Sequence, residues 1–144
     1  MKQNKFRLAA IALLLIAFAT ISWVAPRPIP AMPRAVTITG TYDFSTFPHV
    51  TGTFVYSGAL NISGTNTMDV GPNINGARAH CVEVETASDG SGTITIHMEC
   101  AFNTPIPQGR WEIVSGTGAY TNLKGNGSLT MPPPNIEAMT GVIY

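Results

Sequence analysis

Apolar and polar residues alternate in short runs along most of the chain. Val36 and Ile38 alternate with Thr37, Thr39 and Thr41, and Phe54 and Tyr56 with Thr53 and Val55. Leu60 and Ile62 alternate with Asn61 and Ser63, and Met68 and Val70 follow. Ile94, Ile96, Met98 and Cys100 share one face of a run whose other face is Thr93, Thr95, His97 and Glu99. Trp111 and Ile113 alternate with Arg110 and Glu112. A period of two places successive side chains on opposite faces of a strand. Turn-forming stretches, among them Gly71-Pro-Asn-Ile-Asn-Gly76 and Pro132-Pro-Pro134, separate the runs. The pattern predicts an all-β domain over residues 35–144. About seven to nine antiparallel strands would form a closed or nearly closed barrel, with a two-sheet sandwich as the alternative. Closure is favoured because it removes exposed sheet edges.

The clearest hairpin runs from His80 to Cys100, with its tip at Ala87-Ser-Asp-Gly-Ser-Gly92. Taking Val82 and Val84 as the apolar face of the first strand puts Val84 opposite Met98. Val82, Val84, Ile94, Ile96 and Met98 then become candidate lining residues for an apolar lumen. Glu83, Glu85, His97 and Glu99 gather on the other face, read as solvated because charged residues are mostly exposed. Facing a cavity instead, they could bind a cation or perform acid–base chemistry, with at least one carboxyl pKa raised by its neighbours. Cys81 and Cys100 are the two cysteines of the chain. In an exported protein they predict a disulfide. Direct opposition of the two would shift the register by one residue and turn Glu83 and Glu85 toward the isoleucines. A β-bulge near Cys81 would reconcile the two patterns; two buried free thiols are the alternative.

After Ile113 the chain reads as a tight turn and a single helical turn before the next strand. Gly116 and Gly118 supply backbone freedom, and Tyr120 and Leu123, three apart, would point at one surface. Ser115-Gly-Thr-Gly-Ala-Tyr-Thr-Asn-Leu-Lys-Gly125 resembles the Gly-Gly-Thr-Gly-x-Phe-x-x-Ala-x-Gly signature of the allene oxide cyclase and dirigent-like β-barrel proteins. The resemblance is confined to residues 110–144. It departs from the signature at Ser115, Tyr120 and Leu123. It implies a barrel, and it permits an enzyme of the cyclase or isomerase type. In that family the signature is a packing and turn feature. Gly116, Thr117, Gly118, Tyr120 and Gly125 are therefore expected to be structural, and no catalytic residue is carried over.

The N-terminus has a different character. Lys2, Lys5 and Arg7 precede an 18-residue run, Leu8 to Ala25, interrupted only by Thr20 and Ser22. That layout predicts an export signal over residues 1–25, cleaved after Ala31 or Ala35, or an uncleaved membrane anchor, since the run is just long enough to span a bilayer. An apolar helix is expected there, followed by a stiff proline-rich linker over residues 26–34. The location implied is secreted or periplasmic, with membrane contact only through the N-terminal segment. Charge changes the picture once this segment is set aside. Residues 35–144 hold three basic against eight acidic residues, a net of −5. Nucleic acid is a poor partner for that balance, because phosphate contacts need a basic patch. No Gly-x-Ser-x-Gly elbow, phosphate loop or converging histidines mark catalytic or metal-binding residues, and no cofactor is implied. The functional expectation is an exported barrel that binds a small apolar molecule without turning it over. The alternatives are a cyclase or isomerase and a structural module of the cell surface.

Overall fold

The computed structural model describes residues 32–72 and 77–144; the expected N-terminal apolar helix lies outside them. Eight strands run in chain order: β1 (Arg34–Asp43), β2 (His49–Gly58), β3 (Ser63–Val70), β4 (Arg78–Ala87), β5 (Thr93–Ala101), β6 (Gln108–Gly116), β7 (Gly125–Thr130) and β8 (Ile136–Ile143). Each pairs antiparallel with the next, and β8 returns to pair with β1, facing Met139 with Ile38. The sheet closes on itself, so the architecture is a barrel and not a sandwich.

Alternation builds the wall. Along β1, Val36, Ile38, Gly40 and Tyr42 are buried while the threonines between them are exposed. Threonine suits the outer face, because its branched Cβ fits a pleated surface and its hydroxyl can pair across strands. Thr41 and Thr53, directly opposite, do so at 2.8 Å. Inside, Ile38, Phe54, Met68, Ile96, Ile113 and Met139 are almost wholly buried. Trp111 also points inward. Its indole lies over Gly127 and Gly141, where any Cβ would collide with it, and its Nε1–H is shared between the carbonyls of Ser128 at 3.1 Å and Thr140 at 3.3 Å.

The two ends of the barrel differ. At one end the β4–β5 tip is tied to the β6–β7 connection. Ala119 N–H donates to the Ser91 carbonyl at 2.8 Å, and Thr93 N–H to Thr117 Oγ1 at 3.0 Å. The 3₁₀ turn Gly118–Tyr120 buries the Tyr120 ring against the core, and Leu123 packs beside it. At the other end lie the connections 44–48, 102–107 and 131–135, which are rich in Phe and Pro.

Candidate functional site

The phase of β4 decides what the barrel contains. Cys81, Glu83, Glu85 and Ala87 point inward, and His80, Val82, Val84 and Thr86 point outward. Across to β5, Glu83 faces Ile96, Glu85 faces Ile94 and Cys81 faces Met98. This corrects the lumen reading of two residues: Val82 and Val84 are 39% and 37% exposed, while Glu83 and Glu85 are 0% and 1% exposed. Two valines were too weak a signal to phase the strand. Its inward positions also include Ala79, Cys81 and Ala87, which fill the gaps left by larger side chains of β5. Ile94, Ile96 and Met98 lie inside, whereas His97 and Glu99 face out and do not join the two glutamates.

The same register corrects the disulfide. Cys81 lies two residues from direct opposition, with Cys100 facing Ala79 and Cys81 facing Met98. Both are buried free thiols. The hydrogen bond between them, together with burial, pushes the Cys100 thiol up. The pairing of β4 with β5 is continuous, so no bulge lies near Cys81; the irregularity falls between β5 and β6 at Thr95/Ile96.

A third carboxyl joins the two on β4. Glu137 of β8 is fully buried, in phase with Met139. Gly40 faces it across the β1–β8 ladder, and a Cβ there would stand 3.3 Å from Glu137 Oε2, so the glycine makes room for the carboxyl. Tyr42 bridges two of the acids, its hydroxyl 2.9 Å from Glu83 Oε2 and 2.6 Å from Glu137 Oε2. Asn66 Nδ2 donates to Glu83 Oε1. Tyr56 donates to Glu85 Oε2 at 2.5 Å.

Proton counting sets the charge. A phenol has one proton to donate, yet Tyr42 is within hydrogen-bond distance of two carboxyl oxygens. One of those carboxyls must be protonated and donate to the phenol oxygen. Electrostatics point the same way. Burial pushes Glu83 up to about 7, against the hydrogen bonds from Asn66 and Tyr42 that favour its charged form. Burial and the charge of Glu83 hold Glu85 and Glu137 well above the carboxylate range. One of Glu83 and Glu137 therefore holds a proton and donates it to the Tyr42 oxygen, and Tyr42 donates to the other. Burial and the adjacent carboxyls also push both tyrosine hydroxyls up, so they remain donors. No basic side chain among the described residues is buried to balance the three acids.

Three buried polar atoms have no partner among the described residues: Asn66 Oδ1, Glu85 Oε1 and Glu137 Oε1. Directly above Tyr42, at the end rich in Phe and Pro, opens a cavity of about 260 Å³. Phe44, Phe102, Pro107, Met131, Pro134 and Ile136 contribute its walls, and Tyr42 is part of its lining. The Tyr42 and Phe44 rings meet edge to face at 5.9 Å, and Tyr42 N–H donates to the Asn135 carbonyl at 3.0 Å. Phe102 is 42% exposed at the rim. Larger depressions, of about 730 and 900 Å³, lie along β4–β7 and are lined by outward residues such as His80, Glu99 and Arg110. Among the described residues no group of three His, Cys, Asp or Glu side chains is placed to hold a metal ion.

Tyr42, Tyr56, Asn66 and Glu137 escaped the reading of the sequence as site residues. The signal for two of them was present: Tyr56 is in phase with Phe54, and Glu137 with Met139. Comparison of the chain with family models, with curated proteins and with solved structures gave no match.

Proposed function

We propose that the barrel takes up a small, mainly apolar molecule at the mouth between Phe44, Phe102, Met131 and Ile136, and that the polar end of this molecule is directed at Tyr42. The observation that carries this reading is the lining of the mouth: an apolar cavity whose polar element is a tyrosine bonded to two buried carboxyls. A ligand site of this kind is concave, mostly apolar and provided with a few placed polar groups. The charged Lys2–Arg7 start followed by the apolar run to Ala25 supports an exported setting, secreted or periplasmic, or anchored through residues 8–25.

A second reading, an enzyme of the cyclase or isomerase type, is favoured by one specific observation. Tyr42 joins two buried carboxyls, Glu83 and Glu137, one of which must hold a proton while the other accepts from the phenol. An acid and a base linked by a hydroxyl can deliver a proton at one point and accept one at another. The partial likeness of residues 115–125 to the allene oxide cyclase and dirigent-like signature is compatible with that chemistry.

Titration of ¹⁵N-labelled protein with indole, followed by amide chemical shifts, tests the primary reading. Saturable shifts confined to residues 44–48, 102–107 and 131–136 are expected, and Phe102→Glu should weaken them at least tenfold. Shifts scattered over the outer wall, or none up to the solubility of indole, would overturn it.

A further inference from the structure

The carboxyl cluster holds an imbalance that the mouth alone does not explain. Three acids face one another with no buried cation among the described residues. Their direct partners are Tyr42, Tyr56 and Asn66, all of which spend donors on them. What remains over is acceptor capacity. Glu137 meets Tyr42 through Oε2, so its Oε1 is an unpartnered acceptor whether the proton shared with Tyr42 rests on Glu137 or on Glu83. Asn66 uses its amide nitrogen on Glu83 and leaves Oδ1 unpartnered, although the residue is only 2% exposed. Glu85 is held protonated and accepts from Tyr56 on Oε2, so its unpartnered Oε1 carries the proton and adds no acceptor. A buried acceptor left unpaired is costly, so a ligand that supplies donors at Glu137 Oε1 and Asn66 Oδ1 gains more than one that supplies acceptors.

We infer that this cluster is a head-group site for a primary amine: an ammonium held by Glu137 Oε1 and Asn66 Oδ1 beside Glu83, with its apolar body in the mouth. The inference rests on the reading of the mouth as a ligand site. An ammonium has three donors and no acceptor, the complement of what the cluster lacks. It also supplies the positive charge that the interior lacks. Tyr42 stands between the mouth and the acids, and its ring must turn aside for the head group to pass. A carboxylate ligand would meet three acids and be repelled. An alcohol would find hydrogen bonds but would leave the charge uncompensated.

A proton signature follows. The groups facing the head-group position are Tyr42 from β1, Tyr56 from β2, Cys81, Glu83 and Glu85 from β4, Cys100 from β5 and Glu137 from β8. An entering cation favours the ionised form of each acid, so amine binding near neutral pH releases protons, whereas alcohol binding does not. Affinity for the amine accordingly rises between pH 5 and pH 8.

Calorimetric titration of the full chain with 2-phenylethylamine, 2-phenylethanol and 3-phenylpropanoate tests this, run at pH 7 in two buffers of different ionisation enthalpy. The amine should bind at least tenfold tighter than the alcohol, with net proton release, and the carboxylate should not bind. Glu83→Gln, which removes an ionisable carboxyl beside the head group, should abolish the preference for amine over alcohol. The wild-type proton count needs no variant and stands if Glu83→Gln does not fold. Equal binding of amine and alcohol without proton release would overturn the amine assignment while leaving the mouth as a ligand site. Failure of all three compounds would overturn both.

Discussion

Gly118 adopts φ +59°, in the left-handed region where a Cβ is strained, and a side chain there would stand 2.2 Å from the Ser91 carbonyl oxygen. Gly116 lacks the positive φ, but a Cβ would come within 2.3 Å of the Tyr120 carbonyl oxygen. Both contacts are with hydrogen-bonded backbone, Ser91 accepting from Ala119 and Tyr120 from Leu123, so neither neighbour can give way cheaply. Gly118→Ala should lower stability by about 1 kcal/mol or more, read as a drop in melting temperature. Binding at the distant mouth should persist in the folded fraction. A variant that melts like the wild type would show that the turn is not held as described. This part of the chain was legible in the sequence, because Gly-Thr-Gly followed by an aromatic encodes a local backbone shape. The Tyr42–Glu83–Glu137 bridge was not, since its members lie 41 and 95 residues apart in the chain.

At the scale of elements, the strands were readable wherever one face is uniformly apolar. β5, with Ile94, Ile96 and Met98, and β6, with Trp111 and Ile113, announce both their existence and their inward face. β4 announces only its existence. Its glutamates lie inside, where burial would penalise an ionised carboxyl severely. Proton retention and donors from three other side chains, set on β1, β2 and β3, offset that penalty. None of this is local to β4, so an apolar-inside rule assigns its faces the wrong way round. Substitution separates the two assignments. Val84→Lys, on the outer wall, should change the free energy of unfolding by no more than about 0.5 kcal/mol. Ile96→Ala, fully buried, should cost about 2–5 kcal/mol. Chemical denaturation reads both, and a large loss in Val84→Lys would place that residue inside after all.

The barrel is a closed wall around a group of acids, and its stability must therefore depend on pH. Glu83 rises from its ordinary 4.5 to about 7 on folding. Below pH 4.5 the carboxyl is protonated in both states and its full contribution is present. Between 4.5 and 7 the unfolded chain has lost the proton that the barrel still holds. The folded state then binds more protons, and stability falls as pH rises, by up to about 1.4 kcal/mol per pH unit for one such group. Glu85 and Glu137, also held well above the carboxylate range, add to the fall. The most direct measurement is the free energy of unfolding in urea from pH 5 to pH 8, for the wild type and for Glu83→Gln. The account predicts a continuous loss of stability in the wild type as pH rises and a shallower loss in Glu83→Gln, which keeps the shape of the side chain without its titration. A wild-type profile that is flat or rises over this range would contradict the claim that the barrel seals protonated carboxyls inside it.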